Sequence, residues 1–437
     1  MTLSAAIGFI MVLTLVFCLI WKKLLPPVAF IILPIIAALA AGFGLTEIGD
    51  FASDGIAKMV STVSLFVFSI SFFSLMSDVG VFDAVVNALT KKAGTNVTAI
   101  MLATAAIAVI GHLDGSGATT FIITASAMYP IFKKMKLDKR ALMLITCLAI
   151  GVMNIMPWGG PTLRAATVLG IEATDLWHPL IPVQLIMLAI TFIVAFLLSK
   201  VTKKGAAGTA DDSADRSANQ APTAVESAKD DSPKWKLYFN YILTVGVVAV
   251  LVSGKLPSAF VFMIALALGL TVNIPNLKQQ SGKLKEYGVA AMSMVVTLFA
   301  AGVFTGILGG TGMLDSMAEA IVSIIPAALG PYAHIIIAVL AVPLIMCLGT
   351  DAFYFGLLPV VISICSKFGV APEAVARVLI VAENVGVMIS PMTPAVFLGL
   401  GMLDLDIGDH IRFSLPWIWG CSITAIILSV VLGIVPV

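Results

Sequence analysis

Residues 112–120 read His-Leu-Asp-Gly-Ser-Gly-Ala-Thr-Thr, and they interrupt a long apolar stretch in the first half of the chain. Residues 348–356, Leu-Gly-Thr-Asp-Ala-Phe-Tyr-Phe-Gly, interrupt a second apolar stretch in the other half, and Asp114 and Asp351 lie 237 positions apart (351 − 114). A helix break in lipid is costly unless the freed backbone lines a protected cavity. Corresponding breaks in two halves therefore indicate the substrate site of a secondary transporter.

A second pair of interruptions follows the first pair in the same order. Residues 151–162 read Gly-Val-Met-Asn-Ile-Met-Pro-Trp-Gly-Gly-Pro-Thr, and residues 386–394 read Gly-Val-Met-Ile-Ser-Pro-Met-Thr-Pro. Their first glycines, Gly151 and Gly386, are 235 positions apart (386 − 151). The near-constant offset predicts an internal repeat in which each half carries one split apolar stretch and one broken helix.

The composition excludes a soluble domain. The 437 residues are 60% hydrophobic and 11% charged, with a mean hydropathy of +1.08 and a formal net charge of +1. The near-zero charge gives no basis for nucleic acid binding. Many apolar runs approach the roughly 20 residues that a bilayer requires. The predicted spans are 3–20, 26–45, 59–78, 141–157 with 163–171, 178–198, 238–254, 258–275, 288–308, 371–388 with 395–403, and 411–435.

Basic residues set the predicted orientation, because cytoplasmic loops are rich in lysine and arginine. Lys91 and Lys92 precede the split stretch 95–132, and the basic cluster 133–140 follows it, so both ends lie on the cytoplasmic side. We therefore interpret 95–132 as a re-entrant helical hairpin rather than two full spans. The second split stretch, 331–366, then enters from the opposite face, and both termini lie outside.

The predicted fold is an all-α polytopic membrane protein, an inverted-repeat transporter with two re-entrant helical hairpins. Its parts are the first repeat 1–204 (hairpin 95–132, broken helix 141–171), a disordered cytoplasmic linker 205–236, and the second repeat 237–437 (hairpin 331–366, broken helix 371–403).

The tips and breaks combine features that suit an anionic ligand. A second helix is predicted to start near Thr119 and another near Ala352, and helix N-termini attract anions. Hydroxyls, amides and glycines add donors and close backbone approach, although the hydroxyls can equally serve as helix caps. The candidate substrate-binding residues are Gly115, Ser116, Gly117, Thr119, Thr120, Asn154, Gly159, Gly160, Thr162, Arg164, Gly349, Thr350, Tyr354, Asn384, Ser390 and Thr393.

Ionisable residues near the breaks are functional candidates, because a carboxylate inside a membrane is costly to bury. Asp114 and Asp351 are the leading proton or cation sites, with helix capping as the alternative. Glu383 and His112 are further candidates for proton coupling. Arg164 can clamp a carboxylate or pair with an acidic neighbour.

Two other features have simpler interpretations. Glu373 and Arg377 are spaced for an ion pair within one helix. The five cysteines lie in apolar segments without metal-ligand spacing, and we interpret them as packing residues.

With these residues in view, the chain resembles the citrate–metal:proton symporter family (CitMHS) of the ion transporter superfamily. The resemblance runs nearly end to end. It is densest in the five segments 112–121, 151–166, 350–360, 390–394 and 408–414. The Pro-Trp-Gly-Gly-Pro-Thr and Asp-Ala-Phe-Tyr-Phe-Gly runs are the specific motifs.

The resemblance implies uptake of citrate with protons, usually as a complex with Mg²⁺ or Ca²⁺ that is cargo rather than a prosthetic group. It also implies an elevator-like fold with scaffold and transport subdomains, a homodimer, and a bacterial-type cytoplasmic membrane. The chain departs from the family pattern at Ser116, where an acidic residue often stands. One carboxylate fewer leaves other di- or tricarboxylates and organic anions open as substrates, and a cation/proton antiporter is a further alternative.

An intramembrane aspartyl protease is the alternative from another class. Its dyad would be Asp114 and Asp351, which would have to lie close enough to share a proton. The Gly-x-Gly-Asp pattern of such enzymes is absent, since Leu348 and Thr350 stand where glycines are required. We therefore expect a transporter and not an enzyme.

Overall fold

The computed structural model describes residues 2–21, 23–205, 233–324, 326 and 329–436. These residues form helices and turns, and no strand lies among them. The helices of the first half are α1 (Leu3–Ile20), α2 (Pro26–Ala40), α3 (Leu45–Asp78), α4 (Val81–Ala93), α5 (Val97–Gly111), α6 (Gly117–Lys134), α7 (Lys139–Met153), α8 (Gly160–Leu169), α9 (Ala173–Trp177) and α10 (Ile181–Gly205).

The second half has a similar series of helices. They are α11 (Lys234–Ser253), α12 (Ser258–Asn273), α13 (Leu277–Gly310), α14 (Met313–Val322), α15 (Ala333–Val339), α16 (Ala341–Asp351), a π-helical turn (Ala352–Leu357), α17 (Leu358–Ser366), α18 (Pro372–Gly386), α19 (Pro394–Leu403) and α20 (Ile407–Val431). Six helices in the described residues are long and apolar enough to cross a membrane, or seven if α18 and α19 count as one bent span.

The longest helices, α3 and α13, form the most extensive contact between the two halves. Each has 34 residues, and they pack antiparallel along much of their length. Gly55 faces Gly302 and Gly306 so closely that a side chain at Gly55 would overlap the carbonyl of Gly302. Glycines thus allow the two backbones to approach each other closely. The predicted spans 59–78 and 288–308 lie inside these helices, which begin earlier than predicted, at Leu45 and Leu277.

The two split apolar stretches turn at glycines with the same backbone conformation. Gly115 has φ +72° between α5 and α6, and Gly349 has φ +73° at the break inside α16. Such angles favour glycine, because a Cβ would clash with the neighbouring peptide. The two glycines are 234 positions apart (349 − 115), so the backbone aligns Asp351 with Gly117. The sequence alignment of Asp114 with Asp351 is therefore corrected by three positions.

The tip glycines also contact equivalent positions in the broken helices. A Cβ built on Gly115 would lie 3.4 Å from the Trp158 carbonyl, between α7 and α8. A Cβ on Gly349 would lie 3.2 Å from Met392, between α18 and α19, where the chain bends by 42°. Trp158 and Met392 are again 234 positions apart (392 − 158), so each tip rests on the break that follows it.

The boundaries of three further predicted segments differ from the observed ones by a few residues. The helix after the first tip starts at Gly117, two residues before the predicted Thr119, and the helix after the second tip starts directly after Gly349, before the predicted Ala352. The predicted linker 205–236 is shorter, because α10 reaches Gly205 and α11 begins at Lys234. The prediction of disorder falls on 206–232, outside the described residues.

The predicted ion pair between Glu373 and Arg377 is wrong. No contact within 4.0 Å joins these two side chains, both of which the structure describes. The buried Nε of Arg377 has no hydrogen-bond partner among the described residues.

Candidate functional site

Arg164 and Asp351 form an ion pair between the two halves of the chain. The Arg164 Nε donates to Asp351 Oδ1 at 2.7 Å, and the two side chains are only 14% and 24% exposed. Arg164 comes from α8, just after the first helix break, and Asp351 lies two residues after the glycine break of the second hairpin. The alternative in which Arg164 pairs with an acidic residue is thus confirmed, and the acidic partner lies 187 residues away.

The pair lines a polar cavity of about 320 Å³ between the halves. Gly160 makes room for the arginine, because a Cβ there would lie 3.0 Å from Arg164 Nη1. Ser293 and Thr297 line the cavity from α13, where the Thr297 hydroxyl donates to the Ser293 carbonyl at 2.9 Å, and Pro26 and Pro27 line it from the start of α2. The cavity is lined by Leu25, Pro26, Pro27, Arg164, Ser293, Met294, Thr297 and Asp351.

The first hairpin tip is a capped helix N-terminus. Ser116 Oγ accepts hydrogen bonds from the Thr119 backbone N–H at 3.3 Å and from the Thr119 hydroxyl at 3.0 Å. Asp114 Oδ1 accepts from the Ser116 N–H at 2.8 Å. The Trp158 indole donates to the Leu113 carbonyl at 2.8 Å and fixes the tip to the first break. The capping interpretation of Ser116 is therefore confirmed.

His112 joins the first tip to the first break. Its Nδ1 lies 2.7 Å from the Thr120 hydroxyl, and its Nε2 lies 2.9 Å from Asn154 Oδ1. All three side chains are buried. Because both ring nitrogens have partners, His112 holds these elements in place, and neither Thr120 nor Asn154 lines the cavity.

The predicted residues of the first break also bond within the protein. The Thr162 hydroxyl lies 3.1 Å from the carbonyl oxygens of both Asn154 and Ile155. Gly159 packs so closely on the Asn154 backbone that a side chain would not fit. These two residues shape the break from which Arg164 extends.

The predicted residues of the second break likewise form hydrogen bonds within the protein. Ser390 is buried and donates to the Ile345 carbonyl at 2.9 Å, and it accepts from the Met392 N–H at 3.1 Å. The Thr393 hydroxyl donates to the Val387 carbonyl at 2.9 Å. Gly117 and Thr350, each in the first turn of a tip helix, are partly exposed. A Cβ on Gly117 would lie 3.2 Å from the Met388 side chain of the second break.

A cluster of buried polar side chains begins at Tyr354, one turn after Asp351. The Tyr354 hydroxyl donates to Glu383 Oε2 at 2.8 Å, and both residues are 0% exposed. Glu383 Oε1 and both polar atoms of the Asn384 side chain have no hydrogen-bond partner among the described residues. Buried polar atoms are normally satisfied, and these three atoms are exceptions to that rule.

Six of the eight cavity residues were not predicted from the sequence. Leu25, Pro26 and Pro27 lie far from any break, and Ser293, Met294 and Thr297 belong to an unbroken helix. The four-residue spacing of Ser293 and Thr297, which puts both hydroxyls on one helix face, was the signal available. Among the described residues, no group of three metal-ligating side chains comes together.

Comparison with known proteins gives the family of this chain. Residues 5–382 match the family described as Citrate transporter (CitMHS). A citrate transporter of Bacillus subtilis (strain 168) is 34% identical over 431 residues, and the match covers 99% of both chains. A Mg(2+)/citrate complex secondary transporter of the same organism is 34% identical over 433 residues, again with 99% of both chains covered.

Solved structures show the same type of fold at low identity. The YdaH transporter of Alcanivorax borkumensis matches with a TM-score of 0.53 at 15% identity, over 89% of this chain and 87% of that one. The Neisseria gonorrhoeae efflux pump MtrF matches with a TM-score of 0.50 at 15% identity, over 90% of this chain and 83% of that one. The predicted all-α polytopic membrane fold is thus confirmed.

These comparisons confirm a transporter and not an enzyme. The aspartates of the protease alternative also have separate partners, since Asp114 bonds to the Ser116 N–H and Asp351 to Arg164. The full-length match to the family and to its curated relatives shows that this chain is a multi-pass membrane protein of the CitMHS citrate transporter family.

Proposed function

We propose that this chain takes up citrate as a complex with a divalent cation, in symport with protons, and that citrate binds in the cavity at Arg164. The observation that carries the proposal is the half-buried ion pair between Arg164 and Asp351, because it joins the two halves at a polar cavity. Relatives that are named citrate and Mg(2+)/citrate transporters support this substrate.

The geometry of Arg164 leaves it free to bind a second carboxylate. Its Nε donates to Asp351, whereas its two terminal nitrogens donate to no acceptor among the described residues. A guanidinium presents donors along more than one edge, so a substrate carboxylate can bind end-on while Asp351 stays side-on. The size of the cavity, about 320 Å³, is at the small end for ligand pockets and suits a compact acid.

Charge explains the cation in the proposed substrate. The single positive charge of Arg164 cannot balance the negative charges of both Asp351 and a bound citrate, so an excess of negative charge remains in the cavity. A divalent metal bound to the other citrate carboxylates reduces this excess. Since the described residues offer no three-ligand metal site, citrate itself supplies most of the metal ligands, and Asp351 is the protein carboxylate beside it.

The remaining parts of the proposal concern architecture. The two halves are inverted repeats with re-entrant hairpins at 95–132 and 331–366, and a transport subdomain moves against a scaffold subdomain in an elevator-like manner. The protein is a homodimer in a bacterial-type cytoplasmic membrane, with both termini outside. The similar order of helices in the two halves supports the repeat.

The test uses purified protein in liposomes with an imposed pH gradient, acid outside. Uptake of labelled citrate is measured with Mg²⁺, with Ca²⁺ and with a chelator. We expect metal-stimulated uptake that Arg164→Lys reduces about ten- to hundredfold, because one hydrogen bond to a charged group is lost or misplaced. Arg140→Lys is the matched control, since it changes an exposed arginine that pairs with Asp138 outside the cavity. Absence of citrate uptake with every metal, by protein shown to be folded, would reject the proposal.

Ser116 supports a second candidate function, transport of a different di- or tricarboxylate. It occupies a position at which the family pattern often has an acidic residue, so this tip has one carboxylate fewer to interact with a metal. A thermal-shift screen that crosses citrate, succinate and gluconate with Mg²⁺ and Ca²⁺ separates the candidates. Stabilisation by succinate alone, without metal, would favour the second function.

A further inference from the structure

Glu383 is a carboxylic acid in an environment that does not support a charge. It lies on α18 and is 0% exposed, and no lysine or arginine nitrogen lies within 4 Å of it among the described residues. Its Oε2 accepts one hydrogen bond, from Tyr354, and its Oε1 has no partner in the described part of the chain. An isolated carboxylate buried in this way is strongly disfavoured unless it is protonated or paired.

The two tip aspartates, the leading candidates for the proton site, have different surroundings. Asp114 is partly exposed at its tip and accepts a hydrogen bond from the Ser116 backbone N–H at 2.8 Å. Asp351 forms an ion pair with Arg164 at 2.7 Å. Glu383 differs from both tip aspartates, because it is fully buried and has neither a backbone N–H donor nor a cation as a direct partner among the described residues.

From this geometry we infer that Glu383 is the binding site of the coupled proton and that it lies behind the substrate cavity rather than in it. The inference rests on the proposed citrate–proton symport and assigns its proton to one atom group. The proton binds to a carboxylate oxygen of Glu383 before or with the substrate and leaves from the same oxygen after transport.

Two charged or titratable groups on neighbouring elements interact with Glu383. Tyr354 on the π-helical turn donates a hydrogen bond to it, and the positive charge of Arg164 on α8 attracts its ionised form. His410 and Cys147 bond to the Met388 carbonyl instead, and His334 bonds to the Pro436 carbonyl.

These interactions predict whether proton binding strengthens or weakens citrate binding. Tyr354 lies one turn after Asp351 on the same segment, and Arg164 interacts electrostatically with both Glu383 and a ligand in the cavity. An ionised Glu383 would attract Arg164 and repel an anionic substrate, whereas a protonated Glu383 does neither. Proton binding thus favours citrate binding, and by linkage citrate binding favours protonation.

The test compares two transport modes of the same full-length protein in liposomes. Exchange of internal for external citrate, without a pH gradient, reports binding and movement. Accumulation driven by a pH gradient reports coupling. We expect Glu383→Gln, which mimics the protonated acid, to retain exchange at all pH values and to lose proton-driven accumulation. Glu373→Gln is the matched control, because it removes a carboxylate from the first turn of the same helix.

The outcomes are distinct. Proton-driven accumulation by Glu383→Gln at the wild-type level would overturn the inference, and so would loss of exchange by a folded Glu383→Gln protein. Absence of both modes in the wild type would instead reject the proposed function. If Glu383→Gln does not fold, Tyr354→Phe provides the test: loss of the donated hydrogen bond should move the pH of half-maximal exchange upward by about one unit. An unchanged pH profile in Tyr354→Phe would then overturn the inference.

Discussion

Asp351→Asn tests how the cavity recognises an anion and its metal. The substitution removes a negative charge beside Arg164 but keeps an oxygen that can accept from Nε. If a citrate carboxylate binds the terminal nitrogens of Arg164, Asp351 repels it across the guanidinium. We therefore expect Asp351→Asn to bind metal-free citrate more tightly than the wild type, and to depend less on Mg²⁺.

The size of the effect follows from the geometry. The Arg164 Nε and Asp351 Oδ1 are 2.7 Å apart, and the Asp351 side chain is 24% exposed, so screening by water is partial. Two unit charges about 6 Å apart at an effective dielectric constant of about 20 repel by about 3 kcal/mol. Water in the open cavity reduces this, and about 1.4 kcal/mol, or tenfold in Kd, is the expected gain.

Equilibrium binding of labelled citrate to purified protein, with a chelator and with Mg²⁺, measures the gain. Asp138→Asn is the matched control: Asp138 also lies 2.7 Å from an arginine, but outside the cavity, and asparagine keeps its helix cap. Equal or weaker metal-free binding by Asp351→Asn would refute the reasoning, because Asp351 would then not face the substrate.

Two further predictions concern the hairpin tips. Gly349→Ala should destabilise the protein by about 1–3 kcal/mol, since a residue with a side chain is strained at φ +73°. Gly401→Ala, at a helical position with open space around it, should be neutral or stabilising. Thermal unfolding in detergent compares the two variants, and equal melting temperatures would contradict the strain argument. Ser116→Ala should lower the stability of the protein by about 1 kcal/mol, because the helix cap is lost. Ser116→Asp should keep the cap and increase the dependence of uptake on Mg²⁺. An unaltered metal dependence would limit the role of Ser116 to capping.

Much of the fold was predictable because its signals are local. The apolar runs gave the spans, and the helix boundaries agree with α1, α12 and α18 to within a few residues. The starts of α3 and α13 were missed, because charged residues before a span can form a loop or an amphipathic extension of the helix. Packing between these two helices stabilises the extension, and packing is not visible in a local window.

The site was predictable only in part. Residue type and position near a break identified Arg164, Asp351 and Glu383. They did not separate these residues from Thr120, Thr162 and Ser390, whose side chains bond inside the protein. A hydroxyl near a break can cap a helix, hold two segments together or bind a ligand. The direction of its side chain decides among these roles.

The sequence by itself determined that the chain crosses a membrane and that helices break near Gly115, Gly151, Gly349 and Gly386. These properties follow from hydrophobicity and from backbone freedom, which each residue carries with it. Only the tertiary structure decided that Arg164 meets Asp351, that Ser293 and Thr297 complete their cavity, and that Glu383 is sealed behind it. Contacts between residues this far apart in the chain depend on how the helices of the two halves pack, and no local pattern specifies that.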